Sequence, residues 1–264
     1  MYLQTEAIVL KKVDFSESSL VLTLFSRNQG KIRALAKGGR RIKGPFESAL
    51  DLMAHILVTY IPKRGDALDL LTESKLVRRF RPTGENFGGM YAGFYLIELL
   101  NEMTIEQEPM PELFDRAVMA LSQLMTGKSV MPMVMRFEWQ LLEQAGHFPS
   151  LDFCVHCDGA IDPTQRRIAF GHIDGGVVCP HCLPGTQQVS FITPELVKAI
   201  RQISRDVGDR IGNDGTKAVF DPSRQGAMRA LLNQYLSHLI GKRPVMFDYF
   251  KKMNGSVSDG ACPG

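Results

Sequence analysis

The stretch from Ala7 to Arg41, AIVLKKVDFSESSLVLTLFSRNQGKIRALAKGGRR, decides the fold of the N-terminal part of the chain. Short segments rich in Val, Ile, Leu and Thr are separated in it by clusters of Gly, Asn, Asp and Ser. Because the side chains of a strand point alternately to its two faces, the segment Lys31–Lys37 has its small apolar residues on one face and its cations on the other. The pattern predicts short strands with one packed side and one basic side.

The same pattern continues to residue 77 and predicts five strands. Their predicted bounds are Thr5–Val13, Ser19–Ser26, Lys31–Lys37, Leu50–Ile61 and Ala67–Val77. Five strands within about 75 residues, with no long helix among them, favour a small closed barrel of the OB type, which has no free sheet edge. An SH3-like barrel or a small sandwich is the alternative architecture.

Beyond a Pro/Gly-rich break at residues 82–89, the hydrophobic period becomes that of helices. The predicted helices are Asn86–Gln107, Pro111–Met125, Pro132–Ala145, Pro194–Val207 and Pro222–Ile240. The expected fold class is therefore α+β, with a five-stranded OB-type β-barrel followed by an α-helical bundle. The bundle is expected to carry a four-cysteine zinc-binding insertion, because two C-x-x-C pairs, Cys154/Cys157 and Cys179/Cys182, interrupt the helical pattern. The expected domains are the barrel at 1–81, the helical domain at 82–153 and 186–250, the zinc-binding excursion at 154–185, and a disordered tail at 251–264.

The overall composition indicates a folded protein outside the membrane. A length of 264 residues and a hydrophobic content of 44% allow a substantial core and exclude disorder for most of the chain. No run of about 18 apolar residues could span a membrane, and the N-terminus lacks the pattern of a signal peptide. We therefore expect the protein to be cytoplasmic.

Positive charge is concentrated in the first 81 residues, which hold 15 Lys/Arg against 8 Asp/Glu, whereas the rest of the chain holds 16 against 20. No acidic residue lies between Glu17 and Glu47. Such a block predicts a surface that binds a polyanion, and a merely solvated basic face is the alternative interpretation. The loop between the fourth and fifth strands, with which OB folds often bind oligonucleotides, adds two further cations. The candidate binding residues are Lys31, Arg33, Lys37, Arg40, Arg41, Lys43, Lys63 and Arg64.

Three aromatic residues of the same region could stack on nucleic-acid bases. Phe25 and Tyr60 lie in predicted strands, so we expect them in the core. Phe46 follows Gly44 and Pro45 in a basic loop and is the remaining candidate for stacking.

Two C-x-x-C pairs form the strongest local motif of the chain. The pairs are Cys154/Cys157 and Cys179/Cys182, separated by a segment in which Arg166–Phe170 and His172–Val178 predict a hairpin. This spacing is typical of a structural zinc site, in which four thiolates complete a tetrahedron and leave no open position for water. Free thiols, disulfides, or a site in which a nearby histidine replaces a cysteine are the alternatives. The three histidines concerned, His156, His172 and His181, are expected at the surface.

No motif of a catalytic centre accompanies the cysteines. The segment Thr126–Ser129 is not a phosphate-binding P-loop, because it lacks the first glycine and follows a helical pattern. The chain also lacks the H-x-E of zinc deaminases, H-E-x-x-H and G-x-S-x-G. We therefore expect no enzymatic activity.

Two stretches of the chain resemble the RecO family of recombination mediator proteins. The stretch Ala7–Arg41 resembles the N-terminal domain of that family, and Met135–Cys157, MRFEWQLLEQAGHFPSLDFCVHC, resembles its helical domain leading into the zinc site. The resemblance covers nearly the whole chain. It implies an OB barrel joined to a helical bundle with one structural Zn²⁺, and a role in DNA repair without catalysis.

The resemblance also implies partners and contacts. Proteins of this family bind single- and double-stranded DNA, anneal complementary strands, engage single-strand-binding protein and, with RecR, help to load RecA. The basic residues that the family places after its third strand correspond to Lys37, Arg40 and Arg41. The residues alone leave two other functions open, a zinc-dependent nucleic-acid enzyme or nuclease and a zinc-ribbon transcriptional regulator.

Overall fold

The structure is a computed structural model that describes residues 1–41, 45–46, 49–65, 67–84, 86–127, 130–162, 164–208, 222–247 and 249, with only the backbone for 204–208 and 222–223. The strands are β1 (Leu3–Asp14), β2 (Leu20–Ser26), β3 (Gly30–Ala36), β4 (His55–Ile61), β5 (Asp69–Arg78), β6 (Ile168–Gly171), β7 (Gly176–Val178) and β8 (Val189–Ile192). The helices are α1 (Phe87–Met103), α2 (Pro111–Leu124), α3 (Val130–Gln144), α4 (Pro194–Gly208) and α5 (Pro222–Ile240). The predicted tail at 251–264 lies outside the described residues.

Two compact units divide the chain. The first consists of residues 1–133 and 244–264, and the second of residues 134–243. No helix among the described residues is long and apolar enough to cross a membrane.

The first five strands form a closed barrel in the order β1-β2-β3-β5-β4. All neighbours are antiparallel except β3 and β5, which pair in parallel from Ala34 opposite Asp69 to Ala36 opposite Leu71. This is the topology of an OB barrel, and it confirms the predicted fold class. Closure gives each of the five strands a neighbour on both sides, so the barrel has no edge strand.

The alternation of residues in the sequence places the core inside the barrel, as predicted. Leu22 and Leu24 of β2 and Ile56 and Val58 of β4 are completely buried there. A register shift between Val9 and Lys11 marks a bulge in β1. Beyond the bulge all four remaining residues of β1 are exposed, so this strand leaves the core before it ends.

A second apolar layer covers part of the barrel's outer surface. Phe25 of β2 and His55 of β4 point outward, and the ring of Phe114 from α2 lies 6.1 Å and 5.5 Å from theirs, centroid to centroid. The imidazole Nε2 of His55 lies 2.7 Å from a carboxylate oxygen of Glu6. The helix therefore buries outward-facing side chains that a barrel alone would leave in water.

Several predicted bounds differ from the structure, and two of these differences have clear local reasons. The fourth strand begins at His55 rather than Leu50, because Met53 adopts a positive φ of 63° and the chain bends there. Helix α1 ends at Met103 rather than Gln107, because residues 105–107 run beside β3 instead. Lys31 donates its amide to Ile105 O, and the amide of Gln107 donates to Lys31 O at 3.1 Å.

The second unit packs α3, α4 and α5 with a small antiparallel sheet of order β7-β6-β8. The apolar faces predicted for α4 and α5 are buried at Leu196, Ile200, Leu232 and Tyr235. The predicted hairpin is present as β6 and β7, but the sequence did not indicate the third strand, β8. Strand β8 pairs with β6 along its full length, from Ile168 opposite Ile192 to Gly171 opposite Val189.

Candidate metal centre and nucleic-acid interface

The four cysteines Cys154, Cys157, Cys179 and Cys182 converge as the sequence predicts. Their sulfur atoms all lie within 4.8 Å of one another, and those of Cys157 and Cys179 are 3.8 Å apart. Two short turns present them, one before β6 and one after β7. The amides of Asp158 and Leu183 close these turns by donating to the carbonyl oxygens of Cys154 and Cys179. The residues of each pair therefore face a common point.

The geometry and chemistry of this cluster fit a metal ion. A tetrahedron with metal–sulfur bonds of about 2.3 Å has edges of about 3.8 Å, which is the separation of the Cys157 and Cys179 sulfurs. The side chain of Cys154 is fully buried. Burial opposes ionisation of this thiol, but amide donors from Cys179, His156 and Cys157 outweigh it and lower its pKa to about 6. Hydrogen bonds among the sulfurs raise the pKa of Cys157 and raise that of Cys182 to about 12, so a bound cation would be needed to make all four sulfurs thiolates. Such thiolates are the ligands that soft metal ions prefer.

No histidine belongs to this cluster among the described residues. His156 and His181 are exposed, as expected. The expectation for His172 was wrong: it is 3% exposed, and its Nε2 lies 2.8 Å from the hydroxyl of Ser190 on β8. The reason is the unpredicted third strand, which covers the imidazole.

The predicted basic residues of the barrel fall into two groups at different places along β3. The first group, here called the groove group, consists of Arg33, Lys63 and Arg64, all exposed. Arg33 and Lys63 line a groove of about 480 Å³ together with Gln29 and Gln107. The loop between β4 and β5 reaches the groove because β5 starts opposite the middle of β3.

The groove also contains acidic side chains. Glu106 lies 3.9 Å from the guanidinium of Arg33, and Asp69 accepts a hydrogen bond from the amide of Lys63 at 2.8 Å. Burial raises the pKa of Asp69. The cations of the groove are therefore partly balanced before any ligand arrives.

The second group, here called the strand-end group, consists of Lys37, Arg40 and Arg41, which follow the last residue of β3 and are exposed. In the described part of the chain, neither Lys37 nor Arg41 forms an ion pair. Arg40 is tied to the β1–β2 hairpin, because its amide donates to Ser18 O and its guanidinium lies 3.1 Å from the carboxylate of Asp14. Lys37 lies about 13 Å along the strand direction from Arg33, at about 3.3 Å per residue.

Lys31 differs from the other candidates, since its ammonium is used inside the protein. Its Nζ donates to the carbonyl oxygens of Asn101 and Thr104 at 2.7 Å and 2.6 Å, at the C-terminal end of α1. A cation is favourable there because the last carbonyl groups of a helix lack partners. Burial lowers the pKa of Lys31. The alternation of side chains along β3 correctly predicted that Lys31 lies on the outer face of the strand. It did not predict that the C-terminal end of α1 covers this position.

The outcome for the remaining candidates is mixed. Lys43 lies outside the described residues. Phe25 and Tyr60 are buried, which confirms their expected place in the core. Phe46 was wrongly predicted as a stacking residue: it is 4% exposed and packs inside the barrel with the core residues of the strands. The sequence placed it in a basic loop, but its large apolar ring is buried with the core of the barrel.

The exposed cation Lys11 was not identified as a candidate from the sequence. Lys11 of β1 lies opposite Thr23 of β2, which lies opposite Arg33 of β3. The three residues therefore form a row across neighbouring strands, with Lys11 and Arg33 two strand spacings, about 10 Å, apart. The pairing register of β1 and β2 would have placed Lys11 in this row. That register cannot be assigned from the sequence without knowing that β1 has a bulge at residue 10.

These features define an OB-type barrel protein with exposed cations beside its third strand and, in its second unit, a cluster of four cysteines that could hold a metal ion. The family model described as "Recombination protein O N terminal" matches residues 1–80, and "Recombination protein O C terminal" matches residues 84–246. The chain therefore belongs to the RecO family of DNA repair proteins.

Named relatives agree with this assignment. "DNA repair protein RecO" of Rhodopirellula baltica is 36% identical over 258 residues, which cover 91% of this chain and 96% of that protein. "DNA repair protein RecO" of Myxococcus xanthus is 29% identical, with 94% and 96% covered. The relative of the same name from Syntrophomonas wolfei is 33% identical, with 78% and 80% covered.

Proposed function

We propose that this protein binds single- and double-stranded DNA without sequence specificity and anneals complementary strands during recombinational repair. The observation that carries the proposal is the series of exposed cations beside β3, with Arg33 and Lys63 in the groove and Lys37 and Arg41 at the strand end. Contacts from Lys and Arg to phosphates position a protein on DNA without reading its sequence. A cationic surface can also screen two backbones and bring them together.

Family membership extends the proposal to partners. We infer that the protein acts on strands coated by single-strand-binding protein and, with RecR, assists the loading of RecA. A nucleoid-associated place in the cytoplasm would follow from these partners.

The metal centre has a structural role in this proposal. We infer one Zn²⁺ per chain, bound by Cys154, Cys157, Cys179 and Cys182. Four thiolates complete a tetrahedral coordination shell, so the ion would have no open position at which to activate water. The apolar core around the cluster is small: within the described residues its buried members are Cys154, Ala169 and Val178. Metal binding would therefore supply the stability that so small a core lacks.

The binding surface can be tested by the salt dependence of DNA affinity. In the double variant K37A/R41A, the slope of log affinity against log salt for a single strand should become shallower by about 1.4, because each phosphate that a cation neutralises contributes about 0.7. The matched control is K198A/R224A, which removes the same charge from exposed positions on α4 and α5 of the second unit. If both variants keep the parent slope, the strand end does not bind DNA.

Annealing can be tested with complementary labelled strands coated by single-strand-binding protein, in the presence of EDTA and without nucleotide. The parent protein should accelerate duplex formation, and K37A/R41A should do so less than the control variant. No acceleration would contradict the annealing function. Strand cleavage after magnesium is restored would instead support a nucleic-acid enzyme.

A further inference from the structure

The tip of the β1–β2 hairpin carries an exposed aromatic ring next to the strand-end group. Phe15 is 62% exposed, so its ring is open to a ligand. We propose that Phe15 is a stacking platform for a base of single-stranded DNA. The inference rests on the proposed DNA-binding function and identifies the residue that would favour single strands over duplex.

Strand register places Phe15 and the strand-end group at the same end of the barrel. Asp14 of β1 lies opposite Leu20 of β2, which lies opposite Ala36 of β3. Phe15 and Lys37 are the residues that directly follow the outer members of this row. Both therefore leave the barrel at one rim, with only strand β2 between them.

Hydrogen bonds hold the hairpin tip against the segment after β3. The amide of Phe15 donates to Ser19 O at 3.0 Å, and the amide of Ser19 donates to the hydroxyl of Ser16 at 3.2 Å. The amide of Arg40 donates to Ser18 O at 3.1 Å. Because the turn is already ordered, a ligand that contacts Phe15 would not have to fix a flexible loop.

The charges around the tip favour contact with a base rather than with a phosphate. The carboxylate of Asp14 is paired with Arg40 at 3.1 Å. Glu17, two residues after Phe15 in the sequence, is exposed. A phosphate at the tip would be repelled by Glu17. At the strand end it would instead meet Lys37 and Arg41, which form no ion pair with any described residue. The backbone of a strand would therefore follow the cations, and its uncharged bases would face Phe15.

This arrangement selects single strands. Proteins that bind single-stranded nucleic acid combine a cationic track with aromatic side chains, because every base has a face on which a ring can stack. In a duplex that face is covered by the neighbouring base pairs. Phe15 would thus add affinity for a single strand and none for a duplex, while the cations serve both.

The test compares the parent protein with F15L, which keeps an apolar side chain and removes the ring, and with F15Y, which keeps a ring. The matched control is F87L, because Phe87 is 58% exposed at the start of α1. The probes are a labelled oligothymidylate, a strand of the same length without bases, and a duplex of that length. Urea unfolding of each variant checks that the exposed substitutions leave stability within about 0.5 kcal/mol.

We expect F15L to bind the oligothymidylate about tenfold more weakly than the parent, within the range for one stacked base. F15Y and F87L should bind like the parent, and all four proteins should bind the strand without bases and the duplex equally. Unchanged oligothymidylate binding by F15L would overturn the inference alone, and so would an equal loss on all three probes. If the parent binds none of the probes, both the inference and the proposed function are wrong.

Discussion

Gly30, the first residue of β3, allows a close approach of two backbone segments that positions the groove. Its φ is 67°, and a Cβ atom built there would lie 2.3 Å from the carbonyl oxygen and 2.4 Å from the nitrogen of Glu108. Next to it, the segment that includes Gln107 pairs with Lys31 and forms one wall of the groove. Replacing Gly30 with Ala should therefore separate these segments.

The size of the effect can be worked out against a control in the same unit. Gly65 also has a positive φ, 64°, but a Cβ atom there would have no neighbour within 4 Å. In both variants, alanine in the left-handed region costs about 1–2 kcal/mol. G30A adds an overlap with backbone atoms, and such overpacking costs about 1–3 kcal/mol. The effect of alanine on the unfolded chain is similar for both and cancels in the comparison.

Urea unfolding of the parent, G30A and G65A measures this difference. G30A should lose about 1–3 kcal/mol more than G65A, without a change in the dependence on urea concentration. Hydrogen exchange should also show faster opening at the amides of Lys31 and Gln107 in G30A. If G30A is as stable as G65A, the close approach of Gly30 to Glu108 does not constrain the fold.

Three further predictions concern the metal, pH and the barrel core. C157S should lose the metal and melt at a lower temperature than the parent protein, and chelation should have the same effect on the parent. Metal analysis and thermal unfolding measure these changes. A parent protein that contains no metal and is fully stable would contradict the prediction. D115N should lower the unfolding free energy at neutral pH, because a hydrogen bond from Arg27 lowers the pKa of Asp115. That contribution is fully present above the ordinary value of 3.8 and is lost as the pH falls through the lowered pKa, so the stabilities of D115N and the parent should converge in acid. F46A should lower the unfolding free energy by about 3–5 kcal/mol, because it removes a buried ring from the barrel core. If F46A were as stable as the parent but bound DNA more weakly, Phe46 would instead be a residue that stacks on bases.

The barrel could be predicted from the sequence because one face of each strand is buried. The predicted second strand, Ser19–Ser26, differs from β2 by one residue, and the predicted last helix has the bounds of α5. In both elements the period of the apolar residues and the flanking turn or Pro residues indicate the same bounds. The cysteine spacing was sufficient to predict that the four sulfurs converge, because they lie within two short turns.

The features that the sequence did not reveal depend on contacts between distant segments. The strand β8 has only four residues, and its pairing with β6 distinguishes it from a loop. Alternation assigns Lys31 to the outer face of β3, but only the fold shows that the end of α1 covers this position. Phe46 lies in a polar segment of the sequence, and only the fold shows that its ring joins the core of the barrel.

The carboxylates beside the cations bear on how an annealing protein would release its product. Each cationic group contains one guanidinium near an acid, Arg33 with Glu106 at 3.9 Å and Arg40 with Asp14 at 3.1 Å. These exposed pairs are weak and exchange readily with other partners, so a phosphate can replace the carboxylate at a small net gain. A surface of this kind holds DNA less tightly than the same cations without the acids would. Under the proposed function this is useful, because a protein that brings two strands together must leave the duplex they form. Replacing Glu106 and Asp14 with their amides should therefore tighten DNA binding and slow the turnover of annealing, and faster turnover in that variant would contradict this reasoning.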